Sequence, residues 1–164
     1  MSLLDIEKLR KEIGVEWELG AYEIEKGMIR RFVQAIDDQN PLWHDEEYAS
    51  KSQYGGIIAP PTFILTIGFA QIQQKMTTLM PSAGRLHGGT ELEYYQPVRP
   101  GDMITAHGKI THVREREGGK LGKMVLVTFD ISYKNQKQES VAKCRQLTIL
   151  YQPEGTRYAR ATLL

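Results

Sequence analysis

The chain of 164 residues sets 21 lysines and arginines against 20 acids, for a formal net charge of +1 at pH 7. That balance excludes the basic excess of a nucleic-acid-binding surface, and no apolar run approaches the ~20 residues of a membrane-spanning helix. A single cysteine, Cys144, excludes an intrachain disulfide and a multi-cysteine metal site.

The N-terminal stretch MSLLDIEKLRKEIGVEW mixes charged and apolar residues and lacks the apolar core of a signal peptide, which fits a cytoplasmic protein. The length suits one domain over 1–164, with a core at about 10–151. LLDIEKLRKEI has helical spacing, and AYEIEKG reads as a short strand closed by Gly27. MIRRFVQAI predicts a short helix with Ile29, Phe32, Val33 and Ile36 on one face. Asn40-Pro41 is expected to stop it, because the residue before proline is pushed out of the α region. Asp45, or the turn before it, caps a further helix through Tyr48 and Ala49.

From Pro61 to about Met76 the run PTFILTIGFAQIQQKM is apolar on almost every face. It predicts a central helix starting at Pro60 to Thr62 and wrapped by other structure. Four alternating stretches follow: LHGGTELEYYQPV, MITAHGKITHVRERE, KMVLVTFDISYKN and ESVAKCRQLTILYQ. The turn signals RPGD, EGGKLG and NQKQ separate them. The middle two should form a long hairpin. The expected architecture is α+β, a long buried helix against a strongly bent antiparallel sheet.

Chemistry concentrates in DDQNPLWHDEEYA, residues 37–49, where Asp37, Asp38, Asn40 and His44 surround a proline at the joint of two short helices. Such residues cap turns. A histidine oriented by polar neighbours can also accept and donate a proton near neutral pH. Elsewhere the signals are bland. Cys144 reads as a small buried hydrophobe, and His107 and His112 lack a carboxylate at metal-ligand spacing. Tyr94, Tyr95 and Tyr133 suit cross-strand packing, and Pro100-Gly101-Asp102 is a β-turn.

Three stretches carry a resemblance. AIDDQNPLWHDEEYA resembles the MaoC-like hydratase motif, approximately Gly-Asp-x-Asn-Pro-aliphatic-His. YGGIIAPPTFI resembles the segment that enters the hot-dog helix. LHGGTELEYYQPVRPGD resembles a stretch of N-terminal, accessory-type MaoC-like dehydratase domains. The resemblance implies a hot-dog fold and a reversible hydration of trans-2-enoyl thioesters to (3R)-3-hydroxyacyl thioesters. By the same resemblance Asp38 and His44 hold the water that adds to the β-carbon, and Asn40, Thr62, His87 and Gly88 border the substrate. It also implies no metal and no cofactor, since the coenzyme A or acyl-carrier-protein thioester is itself the substrate. The expected assembly is a homodimer, or a heterodimer with another hot-dog subunit, with the two sheets meeting edge to edge. Arg85, Arg99 and Lys109 are candidate partners for coenzyme A phosphates.

The sequence departs from that motif in three places. His44 follows Asp38 by six residues where the motif has five, because Trp43 intervenes. Position 37 is Asp where relatives often have Gly. Ala59-Pro60-Pro61 stands where His-Gly is common, and neither proline has an N–H to offer a thioester oxygen, so Thr62 N–H or a bound water would have to replace it. Similar departures occur in accessory domains that shape the acyl tunnel while a second hot-dog unit carries catalysis. Two readings therefore stand, a hydro-lyase using Asp38 and His44 and a non-catalytic acyl-thioester-binding partner. A thioesterase on the same fold ranks third.

Overall fold

A computed structural model describes residues 5–118 and 122–152. Its elements, in chain order, are α1 (Ile6–Arg10), β1 (Glu16–Glu23), α2 (Lys26–Ala35), α3 (Glu46–Lys51), α4 (Phe69–Leu79), β2 (Gly84–Tyr94), β3 (Met103–Glu117), β4 (Lys123–Lys134) and β5 (Ser140–Tyr151). Two 3-10 segments, Pro41–Trp43 and Pro61–Thr66, lie among them. The five strands form one antiparallel sheet in the order β1-β3-β4-β5-β2, which leaves β1 and β2 at the edges. Among the described residues no helix is long and apolar enough to cross a membrane.

Period-two alternation decides the sheet. Ile104, Ala106 and Ile110 of β3, with Val125, Val127, Phe129, Ile131 and Tyr133 of β4, face the helical layer and are buried. Their neighbours, such as Lys109, Asp130 and Arg145, face outward. Asp130 and Arg145 pair across β4 and β5 in a two-pronged ion pair, Nε to Oδ1 at 2.9 Å and Nη2 to Oδ2 at 3.0 Å. The hairpin of β3 and β4 forms as expected, although residues 119–121 of its GGKLG connection lie outside the described residues. In the NQKQ turn the Asn135 side chain accepts from the N–H groups of Lys137 and Glu139.

Two expectations for the front half are corrected. The first strand is Glu16–Glu23, earlier than AYEIEKG, and Gly27 lies in the first turn of α2 instead of closing a strand. Trp17 and Leu19 point into the core from β1, but a bulge between Glu18 and Gly20 breaks the alternation that would have announced the strand. On α2, Ile29 and Val33 are buried and Phe32 is half-buried, whereas Ile36 ends the helix and stays exposed.

The central helical run is also not one helix. Pro61–Thr66 is 3-10, Ile67 is extended, and Gly68 takes a left-handed conformation (φ +75°) before α4 begins. A Cβ on Gly68 would stand 2.9 Å from Cβ of Leu19 and 3.5 Å from that of Ala106. The chain thus presses onto the sheet where only glycine fits, and it turns there to continue as α4. Phe63, Ile64, Ile67, Ile72 and Met76 remain buried on either side of the break, while Phe69 is half exposed.

Candidate functional site

The motif loop is built by the end of α2. The N–H of Asp37 donates to the carbonyl of Gln34 and that of Asp38 to the carbonyl of Val33, with Asp37 at φ +51°. This is a Schellman stop, whose left-handed position glycine usually fills and aspartate tolerates. The helix therefore ends before Asn40-Pro41, and the glycine common at this motif position has a backbone reason.

Past the stop, each polar side chain has a local partner. Asp38 accepts the Asn40 N–H at Oδ1 (3.0 Å) and the Trp43 indole N–H at Oδ2 (2.8 Å). Asn40 caps the Pro41–Trp43 turn by accepting the N–H of Leu42 at 3.0 Å. Asp45 caps α3 by accepting the N–H of Tyr48 at 2.9 Å. His44 is exposed, with Nε2 3.4 Å from the Gln39 carbonyl. Asp38 and His44 thus have different partners, and no bond joins them. The fifth residue after Asp38, where the motif has histidine, is the buried Trp43. Its indole donates a hydrogen bond but cannot accept a proton.

The loop lies beside the approach to the Pro61–Thr66 turn. The N–H of Ile58 donates to the carbonyl of Leu42, that of Ala59 to the carbonyl of Val98, and Phe32 packs edge-on against Phe63 with ring centres 5.5 Å apart. Next to this approach runs a mainly apolar groove of about 290 Å³, lined by Tyr54, Pro60, Pro61, Ile64, Tyr94 and Tyr95 among others. Asp38, Asn40, His44 and Thr62 do not line it. Burial, together with the neighbouring Cys144, raises the Tyr94 hydroxyl above its ordinary range. The Tyr94-Tyr95 doublet reads from sequence as packing alone; its end-of-strand place before Gln96-Pro97 was the available signal that it borders an opening.

His87 sits elsewhere, lining a cleft of about 440 Å³ between α4 and the β2–β5 edge, and Gly88 follows it on β2 outside that lining. The His87 ring lies 3.2 Å from Thr90 Oγ1 and 3.4 Å from Gln146 Nε2. Gly88 is the bulge residue of β2, and a Cβ there would meet Leu147 Cγ at 2.7 Å, so glycine is required for packing. Arg85 reaches from β2 across to α4, with Nη1 donating to Thr77 Oγ1 at 3.0 Å and Nη2 to the Met80 carbonyl at 3.4 Å. Arg99 approaches Gly56, and Lys109 is on the outer face, so the three cations do not converge.

Among the described residues no cluster of three or more His, Cys, Asp or Glu could hold a metal ion. Cys144 is buried as expected, and burial pushes its thiol up to about 11, the wrong direction for a nucleophile.

The family profile described as "FAS1-like, dehydratase domain region" matches residues 11–144. A UPF0336 protein of Thermobifida fusca is 31% identical over 116 residues, covering 68% of this chain and 76% of the relative. Among solved structures, the ChsH1-ChsH2 complex from Mycobacterium tuberculosis matches with a TM-score of 0.72 at 20% identity, covering 93% of this chain and 94% of that one. The C-terminally truncated HadBC (3R-hydroxyacyl-ACP dehydratase) complex of the same organism matches at 0.71 and 23% identity, covering 84% and 96%. With its sheet folded around an interrupted central helix, the chain belongs to the FAS1-like dehydratase family and has the hot-dog fold of the MaoC-like dehydratases.

Proposed function

We propose that this chain is the acyl-thioester-binding subunit of a two-chain hydro-lyase that interconverts trans-2-enoyl and (3R)-3-hydroxyacyl thioesters. In that reaction water adds its oxygen to the β-carbon and a proton goes to the α-carbon. A second hot-dog chain supplies the acid–base pair. The observation that carries this reading is the Trp43–Asp38 bond, because a donor-only indole stands where a proton acceptor would be needed. Pro60 and Pro61 add to it, since neither offers an N–H to the thioester oxygen.

Among the described residues the outer edge of β2 is unpaired, which favours a partner chain. It is eleven residues long and carries the exposed Leu86 and Tyr94, with the half-exposed Phe69 of α4 near Leu86. A long edge strand with apolar flanks is a template for pairing. Two of the similar solved structures are themselves complexes of two named subunits.

A second reading, autonomous hydration by Asp38 and His44, draws on the exposure of His44 and its single long contact. One assay separates the two: loss of enoyl absorbance from crotonyl-CoA, with this chain alone and with a hot-dog chain carrying an intact Asp-x-Asn-Pro-x-His. Turnover only in the mixture supports the binding-subunit reading. Equal turnover by this chain alone supports the second, and failure of the chain to bind any acyl thioester rejects both.

A further inference from the structure

We propose that the cleft between α4 and the β2–β5 edge receives an anionic group of the bound thioester, with Arg85 as its charge partner. The proposal rests on the thioester reading above and adds what the ligand must carry.

The inner face of β2 and β5 forms one continuous strip. Its cross-strand pairs are Tyr94–Ala142, Leu92–Cys144, Thr90–Gln146, His87–Thr148 and Arg85–Leu150. The strip begins apolar at the groove and turns polar after Cys144. Tyr94 lies nine positions along β2 from Arg85, roughly 30 Å of strand, within the scale of a long acyl chain plus a pantetheine arm.

The polar end carries an unbalanced charge. Arg85 and His87 line the cleft with Gln73, Gln146 and Thr148, and among the described residues no Asp or Glu does. Within the described residues every hydrogen bond of the guanidinium goes to a neutral oxygen, on Gln73, Thr77 or Met80, and its buried Nε has no partner. Among the described residues no ion pair includes Arg85. Burial lowers its pKa with no carboxylate to oppose the effect. A half-buried guanidinium facing amides and hydroxyls suits a carboxylate or a phosphate. The first would come from the far end of the acyl chain and the second from the carrier.

The test is calorimetric binding to the full chain of dodecenoyl and dodecenedioyl thioesters, each on uncharged N-acetylcysteamine and on coenzyme A. One anionic group should raise affinity about tenfold or more over the uncharged thioester. A gain from dodecenedioyl assigns the acyl carboxylate, and a gain from coenzyme A the carrier phosphate. Arg85→Gln should bring the anionic-to-uncharged ratio close to one, and Arg85→Lys should restore most of it. Because Arg85 also holds Thr77 and Met80, Gln146→Leu serves as a second variant, expected to lower the same ratio with an unchanged melting curve. Binding of the uncharged thioester with no gain from either anion, or a gain that survives both Arg85→Gln and Gln146→Leu, overturns the proposal and leaves the thioester reading standing. If no thioester binds at all, both fall.

Discussion

The indole Nε1–H of Trp43 donates to Oδ2 of Asp38 at 2.8 Å, and the other carboxylate oxygen is held by the Asn40 N–H. The aspartate of the motif is thereby the brace of a tight loop. Trp43→Phe keeps the ring in the core and deletes the donor, leaving a half-buried carboxylate oxygen short of a partner. The expected loss is about 1–3 kcal/mol, read from urea unfolding. A loss below about 0.5 kcal/mol, the scale of neutral surface changes, would show that the bond contributes little.

His44, the residue after Trp43, is exposed. Under the binding-subunit reading, His44→Ala changes stability by no more than about 0.5 kcal/mol. It leaves turnover of the two-chain assembly within a small factor of the parent. A fall of about a hundredfold, the scale of losing a general acid–base group, would instead assign proton transfer to this residue.

Asp37 holds a left-handed conformation that glycine adopts without steric cost. Its side chain makes one exposed bond, from Gln39 Nε2 at 3.0 Å. Asp37→Gly is therefore expected to stabilise the fold by a few tenths to about 1 kcal/mol, raising Tm by up to about 4 °C in a thermal melt. A lower Tm would mean that the Gln39 contact outweighs the relief of the backbone.

Burial raises the Cys144 thiol to about 11. For a group whose folded pKa lies above its unfolded value, the stabilisation is complete below the unfolded pKa, about 8.5 for a thiol. It is lost as pH rises from there through about 11. Cys144→Ala should flatten that part of the stability–pH curve, and in the parent iodoacetamide at pH 8 should label Cys144 far more slowly than free cysteine. Labelling at the rate of a free thiol would show that the site opens readily.

Where the sequence alone determined the outcome, the information was local. The alternation in MITAHGKITHVRERE placed β3 at Met103–Glu117, because a period of two assigns every side chain to a face before any partner strand is known. The Asp45 cap and the burial of Cys144 follow from equally short-range patterns. Tertiary structure decided the rest. The break at Gly68 depends on how closely the chain approaches Leu19 and Ala106, far away in sequence. The β1 bulge hid a strand whose register β3 sets. Whether Asp38 would meet His44 or Trp43 depended on where the Schellman stop at Asp37 aimed the loop. The cleft holding Arg85 and His87 exists only where β2 and β5 pair beneath α4. Apart from the Asp38–Trp43 bond, which spans five residues and is set by the path of its own loop, these outcomes are contacts between segments distant in the chain, and such contacts are set by packing, to which a local pattern of residues is blind.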